Sequence, residues 1–183
     1  MMFSSKILRE IFSYQIFFAT VLIVGMSNNV SAKNLVNENN WAYLADTVMG
    51  GVSRGSAEFS AGALRLIGQV STKNNGGFIQ VRTRIDPTET VGKSGIKIKV
   101  KGNGDVYYLH VRNASARLPW QYYTASFKTS EKWKDISISF DEFEKSATLM
   151  PRKLKPESIK TIGLVAYGKD HEADVSIANL EFY

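Results

Sequence analysis

The chain has 183 residues, a formal net charge of +6 and 44% hydrophobic residues. That length argues for one domain, and 23 basic residues scattered among 17 acidic ones argue against nucleic acid as the partner. With no cysteine anywhere, disulfides, thiolate metal sites and thiol nucleophiles are excluded.

Lys6 and Arg9 precede an apolar run over residues 16–26, and Val30-Ser31-Ala32 has the small residues of a cleavage site. Eleven apolar residues rising about 1.5 Å each fall well short of a hydrocarbon core about 30 Å thick. A mitochondrial presequence would be Arg-rich and amphipathic, whereas this segment has one arginine and a solid apolar block. We therefore expect residues 1–32 to be a signal peptide and residues 33–183 to be a single mature domain starting near Lys33. The protein is then exported, into a periplasm, with no permanent membrane span once the leader is removed.

From Trp41 onward the hydrophobic period is two. Residues 63–68 and 78–85 alternate, the second with Ile79, Val81 and Ile85 inward and Gln80, Arg82 and Arg84 outward. Residues 94–101 set Ile96, Ile98 and Val100 against Lys97, Lys99 and Lys101, the pattern of a half-buried strand. Gly102-Asn103-Gly104-Asp105 has the chemistry of a hairpin turn, with residues 106–113 returning as the partner strand. Residues 122–128, 133–140, 161–167 and 173–183 complete the set, and short helical turns are expected at 141–144 and 156–159. Nine or ten short strands with almost no helix predict an all-β chain, an antiparallel β-sandwich, with a jelly roll as the preferred form. Residues 113–119 and 144–155 are the long connections, where binding residues tend to sit.

Two glycine-paired stretches stand apart. Asp46-Thr47-Val48-Met49-Gly50-Gly51-Val52-Ser53-Arg54-Gly55 and Asn74-Asn75-Gly76-Gly77-Phe78 mark tight bends or close backbone approach. Their N–H groups could cradle an anion, but no Gly-Lys-Ser/Thr follows to favour phosphate. Asp46 reads either as a turn acid accepting from nearby amides or as a partner of Arg54. Ser53 reads as a turn hydroxyl bonding to backbone.

These two blocks, with Trp41, Gly68, Arg82, the 102–107 turn, Trp133, Phe140 and Phe143, resemble the complex I intermediate-associated protein 30 family over essentially all of residues 41–183. The resemblance implies a galactose-binding-like jelly roll without enzymatic activity. Mitochondrial members of that family help assemble NADH:ubiquinone oxidoreductase, a chaperone-like role. In this chain Gly102-Asn103-Gly104 stands where the family pattern has Gly-Asp-Gly. The family-signature residues Trp41, Asp46, Met49, Gly50, Gly51, Ser53, Arg54, Asn75, Gly76, Gly77 and Phe78 are taken as structural.

Catalytic chemistry finds little support. His110, on an outward strand face, and His171, in an expected hairpin loop, are the only histidines, and no Gly-x-Ser-x-Gly elbow occurs. No catalytic residue, metal or cofactor is assigned. Binding chemistry is better represented. Arg82 and Arg112 offer planar guanidinium forks, and Arg82, Arg84, Lys97, Lys99, Lys101, His110 and Arg112 would form one basic face if their strands were neighbours. Leu118-Pro119-Trp120-Gln121-Tyr122-Tyr123 crowds aromatics at a loop–strand junction, with Trp120 and Tyr122 on the outward parity. Arg82, Arg112, Trp120, Gln121 and Tyr122 are the candidate binding residues. Trp41 and Trp133 read as core or edge packing. Two functions follow: a module that holds a protein partner in the cell envelope, or a carbohydrate-binding module of the same fold.

Overall fold

Alternating side chains force each strand of this chain to hide one face, and two sheets closing over one interior satisfy all of them at once. The computed structural model describes residues 33–37 and 41–183. The expected leader over residues 1–32 lies outside the described residues.

The strands in chain order are β1 (Ala42–Ala45), β2 (Arg54–Ser60), β3 (Ala63–Val70), β4 (Phe78–Arg84), β5 (Gly95–Gly102) and β6 (Val106–Asn113). They are followed by β7 (Tyr123–Lys128), β8 (Lys134–Ser139), β9 (Glu144–Lys145), β10 (Ile159–Tyr167) and β11 (His171–Phe182). They build two antiparallel sheets, a six-stranded one in the order β1-β4-β10-β6-β7-β9 and a five-stranded one in the order β2-β3-β11-β5-β8. The helical segments among the described residues are all short 3₁₀ turns, including the expected ones at Phe140–Glu142 and Pro156–Ser158. No helix among them is long and apolar enough to cross a membrane.

The core follows the predicted parity. Ile79, Val81, Tyr107, Leu109, Val111, Tyr123, Leu164 and Ile162 from the larger sheet meet Leu66, Ile96, Ile98, Val100, Val175, Ile177 and Leu180 from the smaller one, all of them buried. Each such aliphatic side chain contributes about 1.5–3 kcal/mol relative to exposure. Trp41 packs against this core and donates its indole N–H to the Leu35 carbonyl, 3.1 Å away. Trp133 does not pack inward: it is 39% exposed and lies under the Lys101 ammonium, 5.0 Å from its ring centre.

The expected hairpin at 102–105 is not one. β5 pairs with β11 and β8, whereas β6 pairs with β10 and β7, so this turn carries the chain from one sheet to the other. It is held across the gap: Asn103 N–H donates to Asp174 O, Asn103 Nδ2 to Glu172 O, and the Tyr107 hydroxyl bonds both Asn103 and the Asp174 N–H. Burial pushes the Tyr107 phenol up to about 12, so it stays a neutral clamp. The 169–172 segment is likewise a crossover, from β10 to β11, and His171 opens a strand rather than sitting in a hairpin loop. Local turn chemistry is the same for a hairpin and for an arch between sheets; only strand partnership separates them.

The single basic face is also corrected. Arg82, Arg84, His110 and Arg112 belong to the six-stranded sheet, and Lys97, Lys99 and Lys101 to the five-stranded sheet behind it. Parity tells outward from inward but not which of the two outer faces a residue occupies.

Candidate functional site

The two glycine-paired stretches meet at one buried carboxylate. Asp46 has no solvent exposure and accepts from Ser53 N–H (2.9 Å), Gly77 N–H (2.6 Å), Phe78 N–H (3.2 Å) and the Ser53 hydroxyl. Burial by itself would raise this acid; the donation from Gly77, the Ser53 hydroxyl, Phe78 and the Ser53 amide outweighs it and holds the carboxyl below the usual range. The glycines are required sterically, because a Cβ at Gly51 or Gly76 would run into the Asp46 carboxyl. Of the two roles open to Asp46, acceptor from amides is the one formed; Arg54 is exposed at the start of β2 and takes no part. The anion in the glycine-lined nest is thus the chain's own side chain. Ser53 also accepts the Ser71 N–H at 2.9 Å, tying in the end of β3.

This knot fixes the rim of a cleft of about 350 Å³ on the outer face of the six-stranded sheet. Val48 and Met49, 67% and 65% exposed, stand on one lip with Asn75 and Gly76. Met49, Asn75, Gly76 and Phe78, taken from sequence as purely structural, therefore also line the cleft.

The floor comes from strand register. On the central strand β10, Gly163 lies between Arg82 of β4 and His110 of β6, Val165 between Gln80 and Tyr108, and Thr161 between Arg84 and Arg112. Gly163 supplies the depth: a Cβ there would already sit 3.2 Å from Gln80 Oε1 and 3.4 Å from Arg82 Cβ. Val165 is 1% exposed although it faces away from the core, because the cleft walls cover it.

The aromatic wall is built around His110. Its ring stacks on Tyr122 with centroids 4.0 Å apart and planes 15° apart, and Tyr167 meets it edge-on at 5.8 Å. His110 is therefore outward, as parity requires, yet half-buried; its Nε2 is covered and has no hydrogen-bond partner, and burial lowers its pKa to about 4. It is a neutral wall element, not the surface charge that parity implied. Burial, then the neighbouring Tyr167 phenol, pushes the Tyr122 phenol up, so it too stays neutral.

Trp120 caps this wall, 62% exposed at the cleft mouth. Its backbone is fixed although its indole is free. Its carbonyl accepts the Ser146 hydroxyl at 2.8 Å, and that hydroxyl accepts the Tyr122 N–H at 2.9 Å. Arg112 braces the same loop, donating Nη2 to Ala116 O and Leu118 O at 3.1 and 2.9 Å. Burial, then the charge of Arg82, lowers the Arg112 pKa.

Four of the five candidate binding residues, Arg82, Arg112, Trp120 and Tyr122, share this cleft. Gln121 does not. It is 8% exposed, and its Oε1 accepts the N–H groups of Arg117 and Leu118 at 2.9 and 3.0 Å, so it shapes the loop from inside. Its parity, the same as that of the core residue Tyr123, was the signal. Gln80, Thr161, Gly163 and Tyr167 were not singled out from sequence; their outward parity on β4 and β10 was legible, their adjacency to Arg112 and Trp120 was not.

Residues 29–177 match the family model described as complex I intermediate-associated protein 30. No curated protein sequence matches the chain. Among solved structures, a family 11 carbohydrate-binding module from Clostridium thermocellum, in complex with a β-1,3-1,4-mixed-linked tetrasaccharide, superposes with a TM-score of 0.66 at 15% identity, covering 82% of this chain and 92% of that one. The family 11 module of a cellulosomal cellulase of Clostridium thermocellum gives 0.67 at 14% identity, covering 82% and 93%. A family 30 carbohydrate-binding module gives 0.50 at 12% identity, covering 73% and 74%. At such identities the likeness establishes the jelly-roll fold and carries nothing about ligand. The match over residues 29–177 spans most of the sequence, and the chain belongs to the complex I intermediate-associated protein 30 family.

Proposed function

We propose that this chain is an exported, non-enzymatic binding module that holds a segment of glycan in the cleft on the six-stranded sheet. The observation that carries the reading is Trp120: a large indole held out at the mouth of a cleft by a backbone that hydrogen bonds have already fixed. A sugar ring stacks on such a platform through its C–H face while neighbouring polar groups take its hydroxyls. Gln80, Asn75 and Arg82 line the same cleft and supply such groups. Pre-organisation of the Trp120 loop by Arg112 and Ser146 lowers the entropy lost on binding.

Affinity electrophoresis in gels containing soluble polysaccharides tests this. Retardation by at least one polysaccharide, weakened ten-fold or more in Trp120→Ala, is expected. Retardation by none, or unchanged retardation of the variant, overturns it.

A second reading, a partner-holding assembly factor of the cell envelope, is favoured by the apolar lip of Val48 and Met49 beside Trp120. Exposed side chains of that kind suit a protein hot spot more than a sugar. Met49→Asp would abolish cross-linking to the partner under this reading and would leave polysaccharide retardation nearly intact under the first. Export itself is tested by mass spectrometry of the native protein, whose first residue is expected near Lys33; an intact Met1 would refute it.

A further inference from the structure

The cleft carries an uncompensated charge. Among its lining residues are two arginines and no aspartate or glutamate. Arg112 spends one nitrogen on the Ala116 and Leu118 carbonyls, and the Arg82 guanidinium forms no hydrogen bond or ion pair with the described residues, although Arg82 is half-buried. The acid closest in sequence to the lip, Asp46, is sealed inside the fold by donors of its own. Arg65, on the other sheet, shows the pairing such a fork can make, a two-pronged bond to Asp174 at 2.8 and 2.9 Å.

Strand spacing sets the scale. β4 and β6 flank β10, so the strands bearing Arg82 and Arg112 stand roughly 10 Å apart, and the two arginines are offset by two residues along them, Arg82 beside Gly163 and Arg112 beside Thr161. Over Gly163 the nearest side-chain atom is the flexible end of Gln80, whose Oε1 would lie 3.2 Å from an added Cβ. Two guanidiniums around a gap whose floor is a glycine and a threonine hydroxyl form a receptor for a small planar or tetrahedral anion. Partly desolvated cations without a counter-charge are unfavourable until such an anion arrives.

We propose that the glycan this cleft takes is acidic, with a carboxylate or sulfate of the polymer seated between Arg82 and Arg112 while a ring lies against Trp120. This rests on the glycan reading above. Arg82 is the selectivity residue, because its fork is free; Arg112 acts both as second cation and as brace of the Trp120 loop. Neutral glycans reach the same aromatic wall but leave the two charges unanswered.

The test is isothermal titration of the full chain with oligosaccharides differing only in charge. One arm compares uronate oligosaccharides with their methyl esters; the other compares sulfated galactan oligosaccharides with desulfated ones. At low salt the charged member of at least one pair is expected to bind ten-fold or more tightly, with the difference shrinking as salt is raised. The arm that shows it identifies the anion. Arg82→Gln is expected to remove most of that preference, lowering the affinity for the charged member far more than that for the neutral one. Arg82→Lys, which keeps the charge and loses the fork, is expected to retain an intermediate preference, and melting temperature checks that both variants are folded. Equal binding of charged and neutral members, or a preference unaltered in Arg82→Gln, overturns the acidic-ligand inference and leaves the glycan reading standing. Binding of no oligosaccharide in either arm also overturns the acidic-ligand inference, and it removes the glycan reading as well when no polysaccharide retards the chain in the gels.

Discussion

The Asp46 carboxylate accepts the Gly77 N–H at 2.6 Å across a separation of 31 residues, and this contact joins the two glycine-paired stretches into one structural unit. Its removal should be felt globally. Asp46→Ala leaves the amides of Ser53, Gly77 and Phe78 as buried donors, at a cost of about 3 kcal/mol or more, and the cleft lip at Met49 and Asn75 loses its support. Chemical denaturation measures the loss; a shift below about 1 kcal/mol would contradict this account.

Asp46 also predicts acid sensitivity. Its folded pKa lies below the ordinary value of 3.8, so its contribution is present above that value and disappears as pH falls through the lower folded one. Asp86, Asp105, Asp170 and Asp174 are depressed as well, so the whole protein should lose stability in the same acidic window. Asp46→Asn should show a shallower loss there than the parent chain, in urea midpoints recorded between pH 5 and about pH 2.5.

His110 acts in a different window. Its pKa drops from 6.5 to about 4 on folding, so the unfolded chain takes up a proton that the folded one refuses. Stability should therefore decline as pH falls from 6.5 towards about 4 and show no further contribution from this group below that, an effect of at most about 3 kcal/mol. His110→Phe keeps an aromatic ring against Tyr122 and has no proton to gain. The expected result is a flatter stability profile between pH 7 and about pH 4.5; an unchanged slope would mean that another group titrates there.

Gly163 separates cleft from fold. Its backbone is not in the left-handed region, and an added Cβ meets chiefly the mobile end of Gln80. Gly163→Val should stay within about 1 kcal/mol of the parent in stability, since β-branched residues suit strands. It should nonetheless weaken ligand retention ten-fold or more by filling the floor between Arg82 and His110. Retention equal to that of the parent would place the ligand elsewhere.

Gln121 predicts the reverse pattern. Gln121→Ala strips the acceptor from the Arg117 and Leu118 amides and should cost about 1–3 kcal/mol of stability. Any loss of binding should follow loosening of the Trp120 loop, seen as faster hydrogen exchange at residues 117–121.

Much of this molecule was readable from residue order, and for one reason: which face a strand side chain occupies depends only on its parity. That is why Ile96, Ile98 and Val100 are buried beside exposed Lys97 and Lys99, and why Tyr123, Ala125 and Phe127 turn in. The family resemblance was legible too, in glycines whose missing Cβ atoms make room for Asp46. Strand partnership was not legible. It depends on contacts between segments far apart in the chain, so the 102–105 turn read as a hairpin though it bridges two sheets, and one supposed basic face divided into two. The cleft itself belongs to the same class of fact: Arg82 and Arg112 come together only because β10, a strand from near the end of the chain, slots between β4 and β6 and presents a glycine where they converge.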